Sequence, residues 1–541
     1  MRHEATVINP ALQQALAWHR AGRIADAAAA YRRLIARDPR DADALHLLGV
    51  TLAQAGPSLE AVTLIRAALE LQPRSALAHY NLGNALSGLA RHGEALACYQ
   101  RALELAPSHA GAHRAAGQAL QALGRHAEAL SSYERALELT PSSSAAELGR
   151  GIALGKLGRH IDSEASLARA VELGPDEPEA HYNWATALGT LGRHEPALRA
   201  YQRTLELQPS HLRARWNRAL LHLLCGQWRA GWEGFEARFE MDGVGGDERG
   251  MRERRWSGSE SLRGKSILLW AERGLGDTLQ FSRYAPAVRR LADRVILEVQ
   301  PRLKALLLEQ YPGVQVIAAG EPHGAIDYQC PLLSLPGAFR TEPSSVPCAS
   351  AYLRADPAAV QRWAARLPRG TDLRVGIAWQ GNPEAERHWA HGRSMPLGSL
   401  EPLARLPGVQ LVSLQVGTGA EQLAGVGFRD RVLCFDDLDC GASAFLDSAA
   451  LLMSLDLLIC TDSAVAHLGG ALGVPVWLAL HTRSEWRWLR ERTDSPWYPS
   501  LRLFRQSSAG QWQSVVADML GALTSLATTP GARSRTLRQR S

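Results

Sequence analysis

Six prolines, Pro39, Pro73, Pro107, Pro141, Pro175 and Pro209, are each separated by 34 residues. No other feature restricts the fold so tightly, because a fixed period of this length means one supersecondary unit copied end to end. Other positions recur in phase with the prolines. Ala27, Ala61, Ala95, Ala129, Ser163 and Ala197 hold a small position, Gly49, Gly83, Gly117 and Gly151 a second, and Tyr31, Tyr99, Tyr133 and Tyr201 an aromatic one. The phrases YQRALELAP and YERALELTP are one helix written twice.

Two antiparallel helices per 34 residues, small where they cross and closed by a proline, are the tetratricopeptide signature. Six repeats run from about Ile8 to His211. A degenerate seventh, RARWNRALLHLLCGQWRAGWEGFEARFE, replaces several small positions with tryptophan and extends the expected solenoid over residues 8–245. Arrays of this kind bind peptides or partner proteins on a concave face lined by the first helix of each repeat. Asn81, Asn183 and Asn217 share the sixth repeat position, where side-chain amides could hold an acceptor backbone without reading its side chains. Capping or solvating a helix would use the same residues, and Leu47, Ala115 and Gly149 at that position keep both readings open.

Residues 246–262 are glycine-rich and charged and read as a linker. Beyond them, short apolar runs alternate with helical stretches. SILLWAE, RVILEVQ, VQVIAAG, RVGIAWQG, VQLVSLQV, RVLCFDD, LDLLICT, VPVWLAL and LRLFRQ are the expected strands, joined by right-handed crossovers into parallel sheets. The proline-rich break at Pro343–Pro347 divides them into halves at 263–355 and 356–524, leaving 525–541 as a basic, solvated tail. The expected fold class is α + α/β: an α-solenoid followed by two nucleotide-binding-like halves with the site in the cleft between them.

The totals narrow the function. A net charge of +6 over 541 residues, with no aromatic-interleaved basic stripe, argues against nucleic acid. Seven scattered cysteines without a C-x-x-C argue for a reducing compartment and against a disulfide frame or structural zinc. No apolar run approaches the roughly 20 residues that span a bilayer, so a cytoplasmic location is expected.

Three strand ends carry chemistry. In LDLLICTDSAVAHLGGALG a strand stops at Asp462, and Ser463 and Ala464 open a helix whose first N–H groups form an anion site. The alternative is that Asp462 is an ordinary N-cap and His467 a satisfied core histidine. In SILLWAERGLGDTLQF the glycines Gly274 and Gly276 allow close approach, and Asp277 can accept a proton in the cleft or simply cap its helix. In VGIAWQGNP and HGRSMPL, Gln380 and Asn382 end a strand and Arg393-Ser394 open a turn. A guanidinium fork suits a diphosphate there, although a lone loop arginine is usually surface charge. The Asp-x-Asp of FDDLD (residues 435–439) is acidic but sits where strand-end acids are common, and no metal is expected.

Taken together, GLGDTLQFSRY, CPLLSLPGAF, VGIAWQGNP, GRSMPL, TDSAVAHLGGALGVPVW and EWRWLRERTDSPWYPSLRLFRQ make residues 256–512 similar to glycosyltransferase family 9, the heptosyltransferases. The joined architecture resembles bacterial proteins in which tetratricopeptide repeats precede a GT-B glycosyltransferase domain, and protein O-linked N-acetylglucosamine transferase. The resemblance implies an inverting, metal-independent transfer without a resident cofactor. It gives Asp277 the role of general base and places Arg393 at the diphosphate. Gly274, Gly276, Gln380, Asn382, Ser394, Asp462, Ser463, Ala464 and His467 fall around the donor, a nucleotide diphosphate sugar for which UDP-GlcNAc is the candidate. Ser463 stands where threonine is usual, and the CGASAFLDSAA stretch departs from the family near Asp447.

The expected function is transfer of a hexosyl or N-acetylglucosaminyl group to a protein or peptide hydroxyl presented by the array. Two alternatives stand beside it: a transferase acting on a cell-envelope glycan, and a binding scaffold with an inactive transferase domain.

Overall fold

The 34-residue repeat folds as expected because each half of it buries a different small-residue stripe. The computed structural model describes residues 10–241, 253–272, 274–347, 351–370, 372–386, 392–442 and 444–528. Among the described residues, fourteen helices run from Pro10–Arg20 to Trp228–Phe235, each packing on its neighbours in sequence through the first unit, Met1–Ala214. Where the helices of a pair cross, a glycine receives the partner's large side chain. A Cβ on Gly83 would lie 2.4 Å from the Tyr99 ring, and one on Gly49 would lie 2.5 Å from Ile65. The in-phase alanines Ala27, Ala61, Ala95, Ala129 and Ala197 are fully buried, and Ser163 keeps its place by donating to the Gly151 carbonyl at 2.7 Å. Helices of the array start at recurring caps, with Asp41, Ser58, Ser75, His109 and Ser143 accepting from the backbone three residues on.

The seventh helix pair corrects the expected boundary. From Arg215 onward the chain belongs to the second unit, Arg215–Ser541. The reason is the tryptophan substitution seen in the sequence. Trp228, Trp232 and Phe235 are buried in the same apolar core as the α/β residues Phe281, Trp486 and Trp497. Trp228 stacks on Trp497 at 4.9 Å, and Trp232 meets Trp486 edge-on at 5.4 Å. Arg238, 2% exposed, continues the junction by pairing with Glu272 at 2.9 Å and with Glu236 at 2.7 Å.

Among the described residues, the second unit holds two all-parallel sheets. The first comprises β1 (Arg254–Arg255), β2 (Ser266–Trp270), β3 (Arg294–Val299), β4 (Val314–Ala318) and β5 (Tyr328–Pro331), in the order β1-β5-β2-β3-β4. The second comprises β6 (Leu373–Ala378), β7 (Val409–Ser413), β8 (Val432–Leu433), β9 (Leu457–Thr461), β10 (Val476–Leu480) and β11 (Leu501–Arg505), in the order β11-β10-β9-β6-β7-β8.

All nine expected strands are present, and β1 and β5 are additional. The expected linker is therefore too long: from Glu253 the chain is already part of the first half, with β1 on β5 and Trp256 and Leu262 buried in the core. The expected division near 355 also moves, because Tyr352 and Leu353 already donate to the Ala471 carbonyl of the second half. At the other end, the helix Trp512–Thr528 runs past 524 and buries Leu523 under the second sheet, so the tail does not begin at 525. The remainder of the expected tail, 529–541, residues 242–245 of the expected solenoid and residues 246–252 of the expected linker lie outside the described residues.

In each sheet the chain moves outward from one central strand and then returns to its other side. The reversal lies between β2 and β5 in the first sheet and between β6 and β9 in the second. Crevices at such reversals, outside the carboxyl ends of the strands, are where open parallel sheets hold ligands.

Candidate functional site

Both reversals carry predicted residues, and the fold brings them together. The helix Leu275–Phe281, which follows β2, packs on the helix Ala464–Ala471, which follows β9. Contact is possible only at a glycine: a Cβ on Gly276 would lie 2.8 Å from His467 Cδ2 and 3.4 Å from Ala464 Cα. Gly274 also serves an internal approach, since a Cβ there would lie 2.5 Å from Asp277 Oδ2. Both glycines are thus accounted for by packing within the chain, where the sequence pattern predicted approach to a ligand.

Asp277 sits in the first turn of its helix, behind the N-cap Gly274, so the capping role considered for it is not the one it plays. Its Oδ1 receives Arg487 Nη2 at 2.5 Å. Enclosure by protein pushes the Asp277 carboxyl above its ordinary value, Arg487 pulls it back, and Glu485 adds to the rise.

Asp462 is likewise no N-cap. Ser463 occupies that position, with no side-chain cap bond, and Ala466 N–H bonds to the Ser463 carbonyl, which leaves a shorter run of free donors than the sequence suggested. Asp462 is 3% exposed, and Arg393 Nη1 stands 4.0 Å from its Oδ2. Burial and the nearby Glu485 push it up to about 6, against the pull of Arg393. Arg393 also reaches Glu485 Oε1 at 3.5 Å and is largely buried, so it is not the loose surface charge that a loop arginine usually is.

His467 is a neutral ring. Burial, then the positive charges of Arg487, Arg283 and Arg393, hold it well below the ordinary histidine range. It shares a hydrogen bond with Tyr498 through Nδ1 at 2.9 Å and stacks on Trp488 at 5.4 Å.

The remaining expected donor residues are one step removed. Gln380 turns into its own half, its side chain accepting from Gln422 Nε2 at 2.7 Å and its backbone N–H and carbonyl both bonded to the Gln415 side-chain amide. Ser394 accepts from Gly381 N–H and donates to Glu386, and the Asn382 carbonyl starts the short helix Pro383–Glu386, so both shape the turn that carries Arg393. Within FDDLD, Asp437 pairs with Arg366 at 2.7 Å, and Asp439 accepts from Ser448 and the Asp447 N–H. Asp447 itself receives the Trp363 indole at 2.8 Å.

Four residues that sequence reasoning did not single out complete the site. Arg487 and Glu485 come from a loop between β10 and β11, joined at 2.5 Å. Gln280, fully buried, accepts from Arg487 Nε at 2.8 Å. Arg283 crosses from the first half to the Trp497 carbonyl at 2.6 Å and to Tyr352 at 3.0 Å. The available signal was EWRWLRERTDSPWY, where arginines lie between tryptophans, a pairing that suits buried guanidinium groups.

Several buried polar atoms here have no hydrogen-bond partner among the described residues: Thr461 Oγ1, Asp462 Oδ2, Ser463 Oγ and Gln280 Nε2. Each such atom costs about 1–3 kcal/mol if left unpaired, and a polar ligand or ordered water beside them would satisfy them.

The family comparison bears on the first part of the chain. The family described as "Tetratricopeptide repeat" matches residues 12–76, 58–110, 80–144 and 182–228. The array is made of tetratricopeptide repeats. A curated relative, Protein FlbA of Caulobacter vibrioides (strain ATCC 19089 / CIP 103742 / CB 15), is 30% identical over 334 residues, which is 57% of this chain and 54% of FlbA. The chain thus spans about half the length of that relative. Among solved structures, YrrB, titled a TPR protein with an unusual peptide-binding site, is 24% identical over 36% of this chain and 100% of its own, with a TM-score of 0.31. A thermophilic TPR protein from Thermus thermophilus, TTC0263, is 28% identical, covering 34% of this chain and 99% of its own, with a TM-score of 0.30.

In the array, the amides expected to line the groove are engaged. Asn81 Nδ2 bonds His46 Nε2 of the preceding repeat at 2.9 Å, and Asn183 Nδ2 donates to the Glu179 carbonyl of its own helix at 2.7 Å. Asn217 lies in the second unit. No described helix is long and apolar enough to cross a membrane.

Proposed function

We propose that the second unit is a GT-B glycosyltransferase that moves a sugar from a nucleotide diphosphate sugar to a protein or peptide hydroxyl, inverting its anomeric carbon and using no metal. The carrying observation is the set of buried polar atoms without hydrogen-bond partners at Thr461, Asp462, Ser463 and Gln280, with Arg393 beside Asp462 and Arg487 bonded to Gln280, where the helices that follow β2 and β9 pack together. A sugar diphosphate offers hydroxyls to the first group and negative oxygens to the second.

In the proposed step, the Asp277 carboxylate takes the acceptor hydroxyl's proton as that oxygen bonds to the anomeric carbon. The bond from that carbon to the diphosphate breaks, and its electron pair leaves on the phosphate oxygen. Arg393 and the N-terminus of the helix Ala464–Ala471 stabilise the charge, each such donor worth about 2.7–4 kcal/mol in the transition state. His467 serves as a neutral hydrogen-bonding wall, because a protonated ring there would be both desolvated and repelled by three arginines. The tetratricopeptide array is the proposed acceptor-binding part, since stacked repeats of this kind bind extended chains.

Calorimetric titration with uridine, guanosine and adenosine diphosphates and their sugar conjugates, without added metal, tests the reading. One sugar nucleotide should bind clearly, and Arg393→Ala should weaken it about 10- to 100-fold, the worth of a charge-assisted hydrogen bond. Binding of none of them would defeat the transferase reading in favour of a scaffold.

A further inference from the structure

Arg487 bridges the two halves of the second unit with every arm of its guanidinium occupied. Nη2 holds Asp277 Oδ1 at 2.5 Å, Nη1 holds Glu485 Oε2 at 2.5 Å, and Nε donates to Gln280 Oε1 at 2.8 Å. Asp277 and Gln280 lie on one helix of the first half, three residues apart and thus on one face. Arg487 reaches them from the other half, and its side chain is 7% exposed.

The segment carrying Arg487 is itself fixed on all sides. From β11, Arg505 donates to Ser484 Oγ and to the Trp488 carbonyl, each at 2.6 Å. From the first half, Arg283 holds the Trp497 carbonyl. From the seventh helix pair, Trp232 and Phe235 pack on Trp486, whose ring also lies 4.6 Å from the Arg487 guanidinium. A side chain held this way is a preorganised charge rather than a mobile one.

We propose that Arg487 is a positioning residue for the base, fixing the direction of the Asp277 carboxylate and keeping it ionised in an enclosed site. This rests on the transferase reading for its purpose, but the Arg487–Asp277 coupling can be measured without turnover. The groups facing Asp277 give the signs. Arg487 and Arg393 favour its charged form, and Glu485 opposes it. Glu272, just beyond the end of β2, is a further acid coupled to it, and His467 across Gly276 stays neutral. Asp462 is a further acid that shares Arg393, Arg487 and Glu485 with it. Of these groups, Arg487 is the one hydrogen-bonded directly to the carboxylate. Without it the balance falls to burial, and the carboxyl protonates at higher pH.

Infrared difference spectra across a pH titration of the full chain, with Asp277→Asn identifying the Asp277 carboxyl band, test this directly. In Arg487→Gln the band should titrate about one pH unit or more above wild type, since an adjacent opposite charge lowers a carboxyl by about 1–3 units. Arg487→Lys should recover most of the shift, and Glu485→Gln, which leaves Arg487 in place, should move the band to lower pH. If Arg487→Gln lacks the native near-ultraviolet circular dichroism, Arg487→Lys and Glu485→Gln carry the test. An Asp277 band that titrates at the wild-type pH in the folded variants overturns the proposal. Failure of wild type to bind any sugar nucleotide would defeat the transferase reading instead and leave these titrations as they are.

Discussion

Asp277 is where chemistry and electrostatics meet. As the proposed base it must be ionised to work, and enclosure raises its carboxyl above the ordinary value. Transfer should therefore fall as pH drops, with the acid limb of kcat/KM above the usual carboxylate range. Initial rates measured from about pH 4 to 8 check this, and a limb at the ordinary carboxylate value would contradict the assignment. Asp277→Asn should lower turnover by about 10²–10⁴-fold, the usual worth of a positioned general base, while nucleotide affinity is retained. Asp277 and Asp462 were legible because each follows closely on an apolar run whose strand nature is unmistakable, whereas Arg393, in a turn, and His467, inside a helix, took their roles from the family resemblance. Arg487 was not. Its role depends on Asp277 and Gln280, 210 and 207 residues away in sequence, and no local pattern encodes a partner at that distance. The two motif glycines were legible as close approaches, but sequence spacing could not say that the approaching group was the chain itself.

At the level of elements, period and packing agree. Gly83 lies where a Cβ would come within 2.4 Å of Tyr99, whereas a Cβ on Gly189 would meet nothing within 4 Å. Gly83→Ala should destabilise the array by about 1–3 kcal/mol through overpacking. Gly189→Ala should be neutral or stabilising by about 0.5–1 kcal/mol, because alanine loses less entropy in a helix. Urea unfolding of the two variants separates the effects. The seventh helix pair obeys a different logic. Its tryptophans made it a poor repeat in sequence, and the structure shows why: Trp228 and Trp232 pack against the segment that holds Arg487. Trp232→Ala should cost about 3–5 kcal/mol and weaken the site from behind. The strands missed by periodicity, β1 and β5, are two and four residues long, too short for alternation to register.

For the whole molecule, the boundary between the units at Ala214 and Arg215 sets what can be removed. A chain lacking residues 1–211 should fold and bind the same sugar nucleotide, because the second unit keeps Trp228, Trp232, Phe235 and Arg238. Removal through 240 should leave an insoluble or nucleotide-blind product, since the core then loses Trp228, Trp232 and Phe235 from around Phe281, Trp486 and Trp497. Circular dichroism and calorimetry of both truncations check this. The shorter one also separates acceptor classes, as a glycan acceptor should survive loss of the array and a peptide acceptor should not. The most direct test of the central claim uses full-length protein, the tightest-binding sugar nucleotide with its sugar radiolabelled, and total protein extract as acceptor. Label should enter protein with wild type and be absent with Asp277→Asn. Equal labelling by the two, or none by wild type despite donor binding, would contradict protein glycosylation from this cleft.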